Sequence, residues 1–174
     1  MSIQISIPLQ VLTYTKEQFD NWVKGERAGC TDRYCLGLPG SYGFGENIVG
    51  QYFASKGYLW IHHDFNVLGG NKLGKYPEAE EIILKCIGKK KFESARTLRP
   101  AFMNMEEPDL LIYKPDYSEI RLAESKRLDT RDKLREKQIR GLAILNILFG
   151  FKVDIFEIVP KGKDFTPQPI IYEF

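Results

Sequence analysis

The chain has 174 residues, enough for one domain with a substantial core and few for two. Its 43% hydrophobic and 28% charged residues exclude a disordered chain, and no apolar run approaches the ~20 residues that span a bilayer. The net charge of +2 hides an asymmetry: residues 1–84 hold 7 Lys/Arg against 9 Asp/Glu, and residues 85–174 hold 18 against 14.

The opening MSIQISIPLQ has neither a basic leader nor an apolar signal block, which predicts a cytoplasmic protein without a membrane partner. A helix is expected over 15–26, where Phe19, Trp22 and Val23 fall at helical spacing and Gly25 lies near the end. The glycine- and aromatic-rich TDRYCLGLPGSYGFG (31–45) reads as a loop, followed by a helix over 46–57 closed by Gly57. YLWIHHDF (58–65) has strand composition. A helix over 77–88 starts on Pro77 with acids in its first turn. Two strands, 109–114 and 119–126, flank the turn 115–118. A long helix is expected over 129–150, capped by Asp129 or Thr130 and stopped by Gly150. A strand over 151–159 and a short edge in PIIYEF complete an α/β pattern: a mixed central β-sheet flanked by helices. Cys30, Cys35 and Cys86 are odd in number and lack C-x-x-C spacing, as reduced structural thiols would be.

The hairpin is the most informative stretch. Pairing Lys114 with Glu119 sets Tyr113 against Ile120, Leu111 against Leu122, and Asp109 against Glu124, with Lys126 on the same face. Two carboxylates held that close repel. A divalent cation, Mg²⁺ or Mn²⁺, relieves the repulsion because carboxylate oxygens are its preferred ligands. A slip of one residue would send one acid to the other face, and the plainer alternative is a hairpin end with solvated acids.

Pro108-Asp109 followed by Glu124-Ser125-Lys126 resembles the PD-(D/E)XK nuclease signature. Glu46, at the start of a helix upstream, stands where many members carry a further acid, and Gln138 follows the E-x-K strand as a glutamine does in the VRR-NUC branch. The resemblance covers about residues 46–158. It implies a restriction-endonuclease-like core within a single domain 1–174, with an N-terminal extension 1–45 and an insertion at about 66–105. It further implies that Asp109 and Glu124 hold the metal with the Ser125 carbonyl, while Lys126 polarises the attacking water and stabilises developing charge. Glu46 would bind the metal through water or support a second ion, and Gln138 would orient Lys126 or a phosphate.

Basic residues concentrate in KCIGKKKFESARTLR (85–99), where Lys89, Lys90, Lys91, Arg96 and Arg99 suit a polyanion, the alternative being a solvated helix face. Arg127, Arg131 and Lys133 lie next to the proposed site and become phosphate contacts once it is accepted. In HHDF, His62 and Asp64 would share one strand face with His63 opposite; a satisfied strand histidine is the leading reading, with substrate contact left open. GSYGFG lacks the P-loop pattern, so Gly43 and Gly45 would allow close packing or a flexible gate above Glu46. Tyr34, Tyr42 and Phe92 are candidates for stacking on unpaired bases.

The resulting expectation is a Mg²⁺- or Mn²⁺-dependent nuclease acting on DNA, with RNA left open and a structure-specific role in repair or recombination as its setting. A restriction endonuclease of the same superfamily and a non-catalytic nucleic-acid-binding module are the alternatives. Cutting both strands of a duplex with one site per chain would call for a homodimer.

Overall fold

The computed structural model describes residues 4–101, 104–130 and 133–173, and for Arg99 the backbone alone. Its strands are β1 (Gln4–Ile7), β2 (Leu9–Tyr14), β3 (Leu59–His62), β4 (Leu110–Tyr113), β5 (Ile120–Arg127), β6 (Lys152–Pro160) and β7 (Ile170–Glu173). Its helices are α1 (Lys16–Val23), α2 (Arg33–Gly37), α3 (Phe44–Ala54), α4 (Pro77–Ile87), α5 (Lys89–Ala95), α6 (Leu98–Ala101) and α7 (Glu136–Phe149). Five strands form a mixed sheet in the order β2-β6-β5-β4-β3; β6 runs parallel to both neighbours and the β5-β4-β3 half is antiparallel. β1 and β7 pair separately. The expected α/β class with a mixed, helix-flanked sheet is therefore observed.

Each sheet face has its own core, because successive strand residues point to opposite sides. Leu111, Leu122, Val153 and Ile155 pack with residues of α4, α5 and α7 on one face. Leu110, Ile112, Ala123, Phe156 and Ile158 pack with residues of α1 and α3 on the other. Phe92 is 2% exposed in the first of these cores, so it is not available to stack on a base.

Several boundaries differ from those read in the sequence. The segment read as an N-terminal extension supplies β2, an edge strand of the central sheet, and the loop over 31–45 contains α2, capped by Asp32. α3 starts two residues early, at Phe44. β3 ends at His62 because His63 turns to φ 64, so Asp64 shares no strand face with His62. α7 starts at Glu136, since both expected caps fold back onto the end of β5: Asp129 pairs with Arg127 at 2.6 Å, and the Thr130 hydroxyl donates to the Arg127 carbonyl at 2.9 Å. Its stop at Gly150, in the left-handed region, is as expected. The three cysteines are free thiols. No helix among the described residues is long and apolar enough to cross a membrane.

The β4–β5 turn is fastened by Glu119, whose carboxylate accepts from Lys152 Nζ (2.7 Å), Tyr58 Oη (2.9 Å) and Arg121 Nη1 (3.0 Å). Partial burial pushes this carboxyl up, but the three donors outweigh it and hold its pKa at about 2, below the usual 4.5. A depressed acid stabilises the fold above its unfolded pKa and loses that contribution as pH falls through the folded one. The melting temperature of Glu119→Gln is accordingly expected to fall less than that of the parent chain between pH 5 and pH 2. Parallel acid limbs in the two thermal-denaturation series would count against this fastening.

Candidate active site

β4 and β5 pair Tyr113 with Ile120, Ile112 with Arg121, Leu111 with Leu122 and Leu110 with Ala123, the register that places Asp109 opposite Glu124. β4 stops at Leu110 while β5 continues to Arg127 beside β6, which leaves a step in the sheet. Asp109 fills the step: its Oδ2 accepts the backbone N–H of Ser125 at 3.0 Å. Within a strand the N–H and C=O of one residue point to the same side. The Ser125 carbonyl is therefore directed toward Asp109 as well.

Glu124 is fully buried, and Lys126 and Gln138 are 5% and 4% exposed. Glu124 Oε1 accepts from Lys126 Nζ at 3.1 Å and from the Gln138 side-chain amide, whereas Glu124 Oε2 is buried with no hydrogen-bond partner among the described residues. The Gln138 amide thus orients Glu124, and its Oε1 accepts the Arg135 N–H at 3.0 Å at the start of α7. A buried charged oxygen without a donor is costly. Burial first, and then the Asp109 charge, push the Glu124 carboxyl well above the ordinary carboxylate range, against the opposing pull of Lys126.

Glu46 completes the cluster from the other side of the sheet. Burial and then Asp109 raise its pKa, while His62 and Lys126 oppose the rise. It is brought there by a close approach: a Cβ on Gly45 would lie 2.8 Å from Ser125 Oγ and 3.1 Å from Arg127 Cγ. Close packing, not a gate, is what Gly45 provides. The backbone of Asp109 is held by two donors, His63 N–H at 3.3 Å and His62 Nδ1 at 3.0 Å; a carbonyl only accepts, so Nδ1 carries the proton. Asp32 in turn accepts the His62 N–H at 2.9 Å while capping α2 through Cys35 N–H at 2.8 Å. His62 is therefore a satisfied residue that anchors Asp109. Nothing in the sequence around Asp32 signalled its part.

Three carboxyls gather around one ammonium, two of them driven toward the protonated form by burial and by Asp109. Such a site accepts positive charge. Among the described residues no group of three or more His, Cys, Asp or Glu is arranged to hold a metal ion. The residues that would hold an ion are Asp109 and Glu124, with the Ser125 carbonyl and Glu46 as further oxygen donors. That set suits Mg²⁺ or Mn²⁺, since Mg²⁺ keeps several waters and takes only one or two protein carboxylates.

The expected nucleic-acid contacts divide. Arg96 donates to the Asn66 carbonyl (3.3 Å), Asn66 Oδ1 (3.2 Å) and the Asn71 carbonyl, so it staples the 66–71 loop. Arg127 pairs with Asp129, donates to the Ser41 carbonyl at 3.1 Å and lies over the rings of Phe19 and Phe44. Both are structural staples instead of phosphate contacts. Lys89, Lys90, Lys91 and Lys133 are exposed. Arg131 and the side chain of Arg99 lie outside the described residues. Comparison with protein-family models, curated proteins and solved structures finds no match for this chain.

Proposed function

We propose that the chain is a metal-dependent nuclease that hydrolyses phosphodiester bonds of DNA, on a restriction-endonuclease-like core of the PD-(D/E)XK type, VRR-NUC-like branch. The observation that carries this reading is the register of β4 and β5, which sets Asp109 opposite Glu124 with Lys126 Nζ on Glu124 Oε1. A binding module has no need of buried acids facing an anionic ligand.

Asp109, Glu124 Oε2 and the Ser125 carbonyl would hold Mg²⁺ or Mn²⁺, with Glu46 as an outer acid. The bound ion would lower the pKa of a water and offset charge on the phosphate. Gln138 and Lys126 both engage Glu124 Oε1, so Oε2 would be the oxygen offered to the ion. Lys126, paired with Glu124 Oε1, would polarise the attacking water and stabilise the charge that grows on the phosphate oxygen. Asp109 is held rigid by Ser125, His62 and His63, so no reorganisation is needed as the substrate arrives.

The test is a cleavage assay over single-stranded, duplex, flap and junction substrates of DNA and RNA, with Mg²⁺ or Mn²⁺ and with chelator. Cation-dependent cleavage is expected, and inactivity on every substrate would overturn the reading. The three lysines of α5 give a second prediction. Replacing Lys89, Lys90 and Lys91 with Gln should weaken DNA binding and reduce the slope of log K against log salt by up to about 2.7, at ~0.9 per phosphate contact. An unchanged slope would mark them as solvated surface.

A further inference from the structure

A cleft of about 220 Å³ opens directly beside the candidate site, lined by His62, His63, Phe65, Asn71, Tyr76 and Asp109 among others. A second cavity of about 470 Å³ adjoins it through Tyr76 and includes Tyr34. The Tyr34 and His63 rings stack at 4.2 Å between centroids with an interplanar angle of 5°. His63 makes this stack with φ 64, a backbone state that is uncommon for a residue with a Cβ. Strain of this kind is held where the surrounding structure imposes it, and it gathers at functional sites. The stack also leaves the His63 side chain 53% exposed.

The wall opposite is built rather than loose. Glu107 accepts from Asn66 Nδ2 at 2.6 Å and from the N–H groups of Val67 and Leu68, and Arg96 clamps Asn66 and Asn71 from the other side. The cleft is thus preformed, bordered by the rings of His63 and Tyr76, and shares Asp109 with the acids.

Resting on the nuclease reading above, we propose that this cleft receives one unpaired nucleobase of the strand being cut, stacked on the His63–Tyr34 pair, next to the phosphate at Asp109. Aromatic faces bind any base by stacking and contribute affinity without sequence preference. A base inside a duplex is already stacked between its neighbours and must be unpaired and extruded before it can enter. The cleft therefore selects single-stranded segments such as flaps, gaps and ends.

The test separates base capture from cleavage. A single-stranded oligonucleotide carrying one 2-aminopurine is titrated with the full chain in chelator, where stacking quenches the fluorophore. The parent chain and Tyr34→Phe, which keeps the ring, should quench it. His63→Gly, which suits the positive φ and keeps the fold, should lose the quenching and bind the single strand about tenfold more weakly. Duplex binding should not change. With Mg²⁺, the ratio of flap to blunt-duplex cleavage should fall about tenfold in His63→Gly. Absence of quenching by the parent chain, or full quenching by His63→Gly, overturns the proposal. Failure of the nuclease reading shows separately, as inactivity of every variant, and the quenching series then decides on its own.

Discussion

Asp109→Ala and Lys126→Met are each expected to lose DNA cleavage by about 10³-fold or more, while melting within a few degrees of the parent chain. The magnitude is that of removing one preorganised electrostatic group from a site that stabilises developing charge, ~10²–10³, with loss of a metal ligand adding to it for Asp109. Met is the replacement for Lys126 because the side chain is 5% exposed and its stem is part of the packing. Removing one partner of a buried ion pair is ordinarily severe. Here Glu124 is already pushed toward its neutral form by burial and by Asp109, so it takes up a proton when the ammonium is gone and the fold persists. Measured single-turnover rates decide: parent-like cleavage by either variant removes that residue from the mechanism. A variant that unfolds would instead show the pair to be a requirement of the fold.

The largest expected effect on stability comes from Gly50→Ala. A Cβ at this position of α3 would stand 2.2 Å from Trp60 Cε2 and 2.4 Å from Cδ2. Trp60 is 7% exposed, in the core shared by α3, β3 and β4, so its ring has nowhere to retreat. Overpacking of this kind costs about 1–3 kcal/mol and occasionally more. The helix propensity of Ala returns up to about 1 kcal/mol. A net loss of about 2 kcal/mol corresponds to a fall in melting temperature of roughly 5 °C for a chain of this size. Gly45→Ala supplies the contrast, since its Cβ would meet the movable Ser125 hydroxyl and Arg127 stem. It should cost less stability than Gly50→Ala and more activity, because it shifts the end of α3 that carries Glu46. A Gly50→Ala chain as stable as the parent in calorimetry would mean that α3 does not sit against Trp60 as described.

The part of the site carried by the hairpin was legible in the sequence because it is local. LLIY is a continuous apolar run buried on both faces, so the short turn between it and IRLAESK sets the register, and that register carries Asp109 to Glu124. Pro77 and Gly88 bracket α4, and Gly150 stops α7, for equally local reasons. What escaped depends on partners far along the chain. β2 is a strand only because β6, more than a hundred residues later, offers it an edge, and Pro8 separates it from β1. Asp129 and Thr130 have the chemistry of helix caps, yet both are drawn to Arg127. Arg96 and Arg127 look like available cations in a linear reading, and only the fold shows the carbonyls and rings that engage them. Gln138 stands at the position singled out, but the atom it holds is Glu124 Oε1, which no spacing argument distinguishes from Lys126.

The proposed chemistry requires one ion shared by Asp109 and Glu124. Anomalous diffraction from crystals of the full chain grown with MnCl₂ tests this most directly. It should show a single strong Mn²⁺ peak in contact with both carboxylates and the Ser125 carbonyl, absent in Asp109→Ala. A peak bound elsewhere, or none at concentrations that support cleavage, would contradict it.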